Sequence, residues 1–102
     1  MRRIVPIIIA AVITACATDP YVVVQVADAQ LGFTAADRSQ REGTEYVNDL
    51  TYESACLASA VAFINEIRPD AVVFTGDQVN RPADEEQWNM FLELISSIDG
   101  SV

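Results

Sequence analysis

Two short β-branched runs, each ending in an aspartate and separated by one helical stretch, constrain this chain more than any other feature. Ala71-Val72-Val73-Phe74 is apolar throughout, and Thr75-Gly76-Asp77-Gln78-Val79-Asn80 then turns abruptly polar. Such a run predicts a strand buried on both faces, as in parallel sheets covered by helices. Gly76 permits a sharp turn, so Asp77 presents a short, stiff carboxylate just past the strand's carboxyl end. Tyr21-Val22-Val23-Val24-Gln25-Val26-Ala27 is a second predicted strand, and it runs straight into Asp28-Ala29-Gln30-Leu31-Gly32.

Between the strands, residues 49–67 change to a helical period. Leu50, Leu57, Val61 and Ile64 make one stripe, and Cys56, Ala60, Phe63 and Ile67 the adjacent one, so a wide apolar face is expected. Asn48 or Asp49 is placed to cap the start, Glu53 favours the first turn, and Arg68-Pro69 closes the end. A helix joining two strands makes them parallel, which brings Asp28 and Asp77 to one edge of one sheet.

Residues 31–47 are polar, acidic and without period, with Gly32 and Gly43, and predict a long loop that springs from this edge and is able to cover a substrate. After Asn80, Asp84-Glu85-Glu86-Gln87 suggests a capping arrangement, with Gln87 reaching back to Asp84. Trp88, Phe91, Leu92, Ile95 and Ile98 recur at helical spacing as core positions, and Gly100 is placed to stop that helix. Two strands and two helices make a thin core, so a portion of a larger domain is expected, with residues 21–102 truncated at the carboxyl end.

Met1-Arg2-Arg3 and the apolar residues 4–12 have the form of an export signal that lies outside the fold. Ile13-Thr14-Ala15-Cys16 resembles the lipobox of bacterial lipoproteins. That resemblance implies a signal over residues 1–16, lipid on Cys16, a short linker at 17–20, and an exported chain anchored at a bilayer, the outer membrane or cell surface being favoured. Pro6 and the shortness of the run argue against a membrane-spanning helix.

Fifteen acidic residues face six arginines and no lysine, giving a net charge of −9, and loss of Arg2 and Arg3 with the signal makes the remainder more acidic still. Such a chain is ill suited to neutralising a row of phosphates, so nucleic acid binding is not expected. With Cys16 lipidated, Cys56 has no partner for a disulfide and reads as a small core residue.

Asp28, Gln30, Asp77 and Asn80 are all oxygen-bearing and all belong to the one predicted edge. Oxygen donors suit hard or borderline divalent cations. A carboxylate on a short arm is able to bridge two such ions, which together activate water and clamp a phosphoryl group.

Val24-Gln25-Val26-Ala27-Asp28-Ala29-Gln30-Leu31-Gly32, then Ile64-Asn65-Glu66-Ile67-Arg68-Pro69-Asp70, then Val72-Val73-Phe74-Thr75-Gly76-Asp77-Gln78-Val79-Asn80 resembles the start of a calcineurin-like metallophosphoesterase, in its Asp-x-Gln branch. The likeness runs from about Tyr21 to the end. It implies an α/β fold, the amino-terminal β-α-β-α portion of a two-sheet sandwich flanked by helices. It also implies two divalent metal ions, with manganese, iron, zinc and magnesium all compatible, and a phosphate-ester substrate. Asp28 would be a terminal ligand, Asp77 the bridge, and Gln30 would stand where the family more often has histidine. Asn80 matches the last position of the second motif and would support the turn or the ligands from behind. The chain has no histidine, so the later histidine ligands of that family are absent. No catalytic side chain is identified, and the chain alone is expected to be inactive. The alternative reading is a small acidic lipoprotein that acts by interaction and not by catalysis.

Overall fold

The computed structural model describes residues 20–99 in full and the backbone of residues 7–13. The elements run β1 (Ile7–Ile13), β2 (Tyr21–Ala27), α1 (Phe33–Glu42), α2 (Thr51–Ile67), β3 (Ala71–Thr75) and α3 (Glu85–Ile95). The chain is therefore a small mixed α/β fold. β2 and β3 are adjacent and parallel, from Val23 opposite Ala71 to Ala27 opposite Thr75. Both strands thus leave the sheet at the same level, one into Asp28 and the other into Gly76-Asp77.

The core lies on one face of that pair. Val24, Val26 and Val72 point into it and meet Leu57, Val61 and Ile64 of α2, Phe91 of α3, and Ile98 beyond it. Leu57 and Ile64 are fully buried, and each contributes about 1.5–3 kcal/mol by leaving water. Phe91 meets the rings of Phe74 and Trp88 edge-on, at centroid distances of 5.3 and 6.0 Å. Among the described residues no helix covers the other face of the sheet: Val73 is 45% exposed, and Gln25 donates through Nε2 to Thr75 Oγ1 at 3.0 Å on that side. β3 is consequently buried on one face and not on two, because α2 and α3 pack on the same side.

Several expectations change. Residues 31–47 are not one loop, since α1 occupies Phe33–Glu42. The two glycines that suggested a loop are its left-handed caps, Gly32 at φ 94° and Gly43 at φ 66°, and Asp37 pairs with Arg41 one turn on at 2.9 Å. α2 begins at Thr51, with Leu50 in the cap position and Asp49 Oδ1 accepting from the Thr51 N–H at 3.0 Å. Its buried face holds Glu53, Leu57, Ala60, Val61 and Ile64, whereas Phe63 is 50% exposed and Cys56 is half-buried. α2 ends at the left-handed Arg68, as its Arg-Pro sequence suggested.

In α3, Asp84 caps the Gln87 N–H at 3.0 Å as expected. Gln87 does not reach back, because its side chain is committed to the interior. The helix ends at Ile95, and Gly100 lies outside the described residues. Leu92, read as core, is 55% exposed.

Residues 7–13 belong to the segment read as an export signal outside the fold, yet in the whole chain they form β1, antiparallel to β2 from Ile7 opposite Ala27 to Ile13 opposite Tyr21. A β-branched apolar run satisfies the free edge of β2 that the parallel pair leaves. Cys16 and residues 17–19 lie outside the described residues. Among the described residues no helix is long and apolar enough to cross a membrane.

Candidate functional site

The two loops that follow β2 and β3 are zipped together beyond the strands. Gln30 N–H donates to the Asp77 carbonyl at 2.8 Å, Leu31 N–H to the Gln78 carbonyl at 3.1 Å, and Asn80 N–H to the Leu31 carbonyl at 2.9 Å. Leu31 and Val79, both buried, form a parallel bridge that continues the ladder. The structure therefore brings Asp28, Gln30, Asp77 and Asn80 into two hydrogen-bonded loops at the carboxyl edge of the parallel pair, where open α/β sheets place ligands.

The backbone here is unusual in one respect. Asp28, Gln30 and Asp77 all have left-handed φ, at 58°, 46° and 52°, as does Gly76 at 58°. For non-glycine residues that conformation costs about 1–3 kcal/mol each and clusters at functional positions. Aspartate tolerates it through local polarity, whereas glutamine gains no such relief.

Side-chain environments differ along the edge. Asp77 is exposed, while Asp28, Gln30 and Asn80 are half-buried. The Gln30 Oε1 atom itself is shielded from water and has no hydrogen-bond partner. A buried amide oxygen without a donor costs about 1–3 kcal/mol, so this acceptor stands ready for a positively charged partner. Among the described residues, the carboxylates of Asp28 and Asp77 accept no hydrogen bond and form no ion pair. Nor do three or more His, Cys, Asp or Glu side chains converge anywhere among them to hold a metal. The available donor set is two carboxylates with two amides, all oxygen ligands suited to a hard cation.

Arg81 follows Asn80 and lays its guanidinium over the Tyr46 ring, 3.6 Å from the centroid, with no carboxylate partner among the described residues. The ring is held in turn: Tyr46 Oη donates to Asn48 Oδ1 at 2.6 Å and accepts from Gln87 Nε2 at 3.1 Å.

Two buried polar residues support the loops from below, and the sequence had assigned neither to the site. Glu53, 2% exposed, accepts from the N–H of Gly32 at 3.1 Å, from the N–H of Thr34 at 3.2 Å, and from the Thr34 hydroxyl. Gln87, with no exposed surface, accepts from the Arg81 N–H through Oε1 at 2.8 Å and donates through Nε2 to Tyr46 and to Asn48 Oδ1. A signal for both existed, because each stands four residues before a buried apolar residue of its helix, Leu57 and Phe91.

Comparison with protein-family models, with curated proteins and with solved structures returned no match for this chain.

Proposed function

We propose that this chain carries the first half of a calcineurin-like phosphoesterase site, hydrolysing phosphomonoesters or phosphodiesters once its remaining ligands are supplied. Asp28, Gln30 and Asp77 would hold divalent cations there, and Asn80 fixes the second loop through its N–H bond to the Leu31 carbonyl. A pair of such ions, when bound, supplies an activated water and charge neutralisation at the phosphoryl group. The chain's own part is to fix three oxygen donors on two zipped loops. The observation that carries the reading is the shielded Gln30 Oε1 without a partner, on a loop that also bears Asp28 and is hydrogen-bonded to the loop that bears Asp77, neither carboxylate being in an ion pair among the described residues. An apolar residue would serve a merely structural turn better. The lipobox at Cys16 adds the proposal that the exported form is tethered to a bilayer by lipid, with its phosphate-ester substrate on the outer side of the plasma membrane.

Titration calorimetry with manganese tests the reading. Binding that is lost on Asp77→Asn and on Gln30→Leu is expected, together with no turnover of an aryl phosphate by this chain alone. A folded wild-type chain that takes up no manganese, magnesium or zinc refutes the metal site. In that case the second reading, an acidic lipoprotein acting by interaction, gains support from the open sheet face around Val73.

A further inference from the structure

We infer that Glu53 of α2 is a positioning residue for Gln30, holding the donor loop in its strained conformation through the first turn of α1. For what Gln30 holds, this rests on the proposed phosphoesterase site; the positional claim stands on separate contacts.

A buried carboxylate is costly unless its oxygens are saturated with donors. Among the described residues no cation pairs with Glu53, and what saturates it is the N–H of Gly32 together with the N–H and hydroxyl of Thr34. Those N–H groups belong to the start of α1, where backbone donors lack helical partners and the helix dipole favours an anion. Helices ordinarily meet this need with a serine or aspartate at the cap itself. Here the cap residue is Gly32, at φ 94°, and any Cβ would collide with Gln87 Nε2 and come within 2.9 Å of Gln87 Cδ. A side chain at the cap itself would push the Gln87 amide off its hydrogen bonds to Arg81, Tyr46 and Asn48, and α2 provides the cap from across the core.

This arrangement couples the cap to the candidate site. Phe33 N–H donates to the Gln30 carbonyl at 3.0 Å, and Gln30 N–H donates to the Asp77 carbonyl. With Gly32 and Thr34, the residues on either side of Phe33, fastened to Glu53, the carboxyl end of that turn is fixed, and Gln30 is left little freedom to relax from φ 46°. Glutamine at position 53 would not do the same, because one of its two oxygens becomes an NH₂ that faces other donors.

The experiment uses the whole chain in a mild detergent and compares Glu53→Gln with Leu57→Ala, a cavity one turn away on the same helix face. Amide exchange followed by nuclear magnetic resonance gives protection at Gln30 and Leu31 relative to Val24 and Val72 in the strands, and manganese affinity is read by electron paramagnetic resonance. The expected result for Glu53→Gln is a loss of protection at Gln30 and Leu31 of about tenfold with the strand amides unchanged, and weaker manganese binding. Leu57→Ala should lower all four amides together. Loss confined to Gly32 and Thr34 would make Glu53 a helix cap only, and uniform loss would make it an ordinary core group; either overturns the inference. Should Glu53→Gln fail to fold, Thr34→Val removes one donor and leaves the carboxylate in place, with the same pattern expected at smaller amplitude. Unchanged protection at Gln30 in that variant likewise overturns it. A folded wild-type chain that binds none of manganese, magnesium or zinc sinks the phosphoesterase reading, while the exchange pattern still decides the role of Glu53.

Discussion

Gln30 gives its backbone N–H to the carbonyl of Asp77, 2.8 Å away, so the two loops that carry the candidate donors are one hydrogen-bonded unit. A displacement of either loop moves the other. Asp28 lies two residues before that bond and Asn80 three residues after it, and the Leu31–Val79 bridge closes the unit behind them.

The orphaned oxygen of Gln30 sets stability against function. Gln30→Leu removes a buried acceptor that has no partner and should stabilise the metal-free chain by about 1 kcal/mol. Thermal unfolding in chelator should show a raised midpoint, while manganese binding disappears. A lowered midpoint would mean that this oxygen has a donor after all.

Gly32→Ala should be among the most damaging single substitutions. Its Cβ would meet the fully buried Gln87 amide, at a φ that alanine adopts only with strain, and a loss of about 2–4 kcal/mol is expected. In a domain this small that lowers the unfolding midpoint by roughly 10–25 °C. Gly76→Ala has open space around its Cβ and should cost much less.

Replacing Gln87 with leucine keeps the volume but leaves the Arg81 N–H without its acceptor and takes one partner from Tyr46 and Asn48. A destabilisation of about 2–3 kcal/mol is expected in denaturant titration. Leu92→Ala, at a residue read as core but 55% exposed, should change stability by under about 0.5 kcal/mol.

Acid should loosen the start of α2. Hydrogen bonds from the Thr51 side chain and then its backbone, with the charge of Arg38 adding to them, hold the Asp49 carboxyl below its ordinary range. A depressed carboxyl stabilises the fold above its unfolded-state pKa, and that contribution is lost as pH falls through the folded value. The Thr51 amide resonance should therefore titrate with a midpoint under the usual aspartate range, and Asp49→Asn should abolish the transition.

How far the sequence disclosed this molecule depended on where each determinant lies along it. β2, β3, α2 and α3 are written in local periods, and the parallel register follows from placing a helix between two strands. Asp28, Gln30, Asp77 and Asn80 were therefore found by position alone. α1 was missed because its stabilising partners are distant: Glu53 reaches it from about twenty residues away, and Gln87 from farther still explains why Gly32 must be glycine. The same distance hid Glu53 and Gln87 as supports of the site, since charge and amide on a helix ordinarily mean a solvated face. Val73 and Leu92 were misread for a different reason. An apolar run gives the side of an element that can be buried, and only the packing of α2 and α3 on one face decides which side is.

The cap of α1 also has a place in time. During synthesis residues 33–42 leave the ribosome before residue 53 does, and a helix of ten residues does not hold itself together in water. α1 therefore acquires its shape only when α2 arrives, and the donor loop beside it is set at the same moment. Folding of the candidate site is thus a late event, timed by a residue that belongs to neither of its loops.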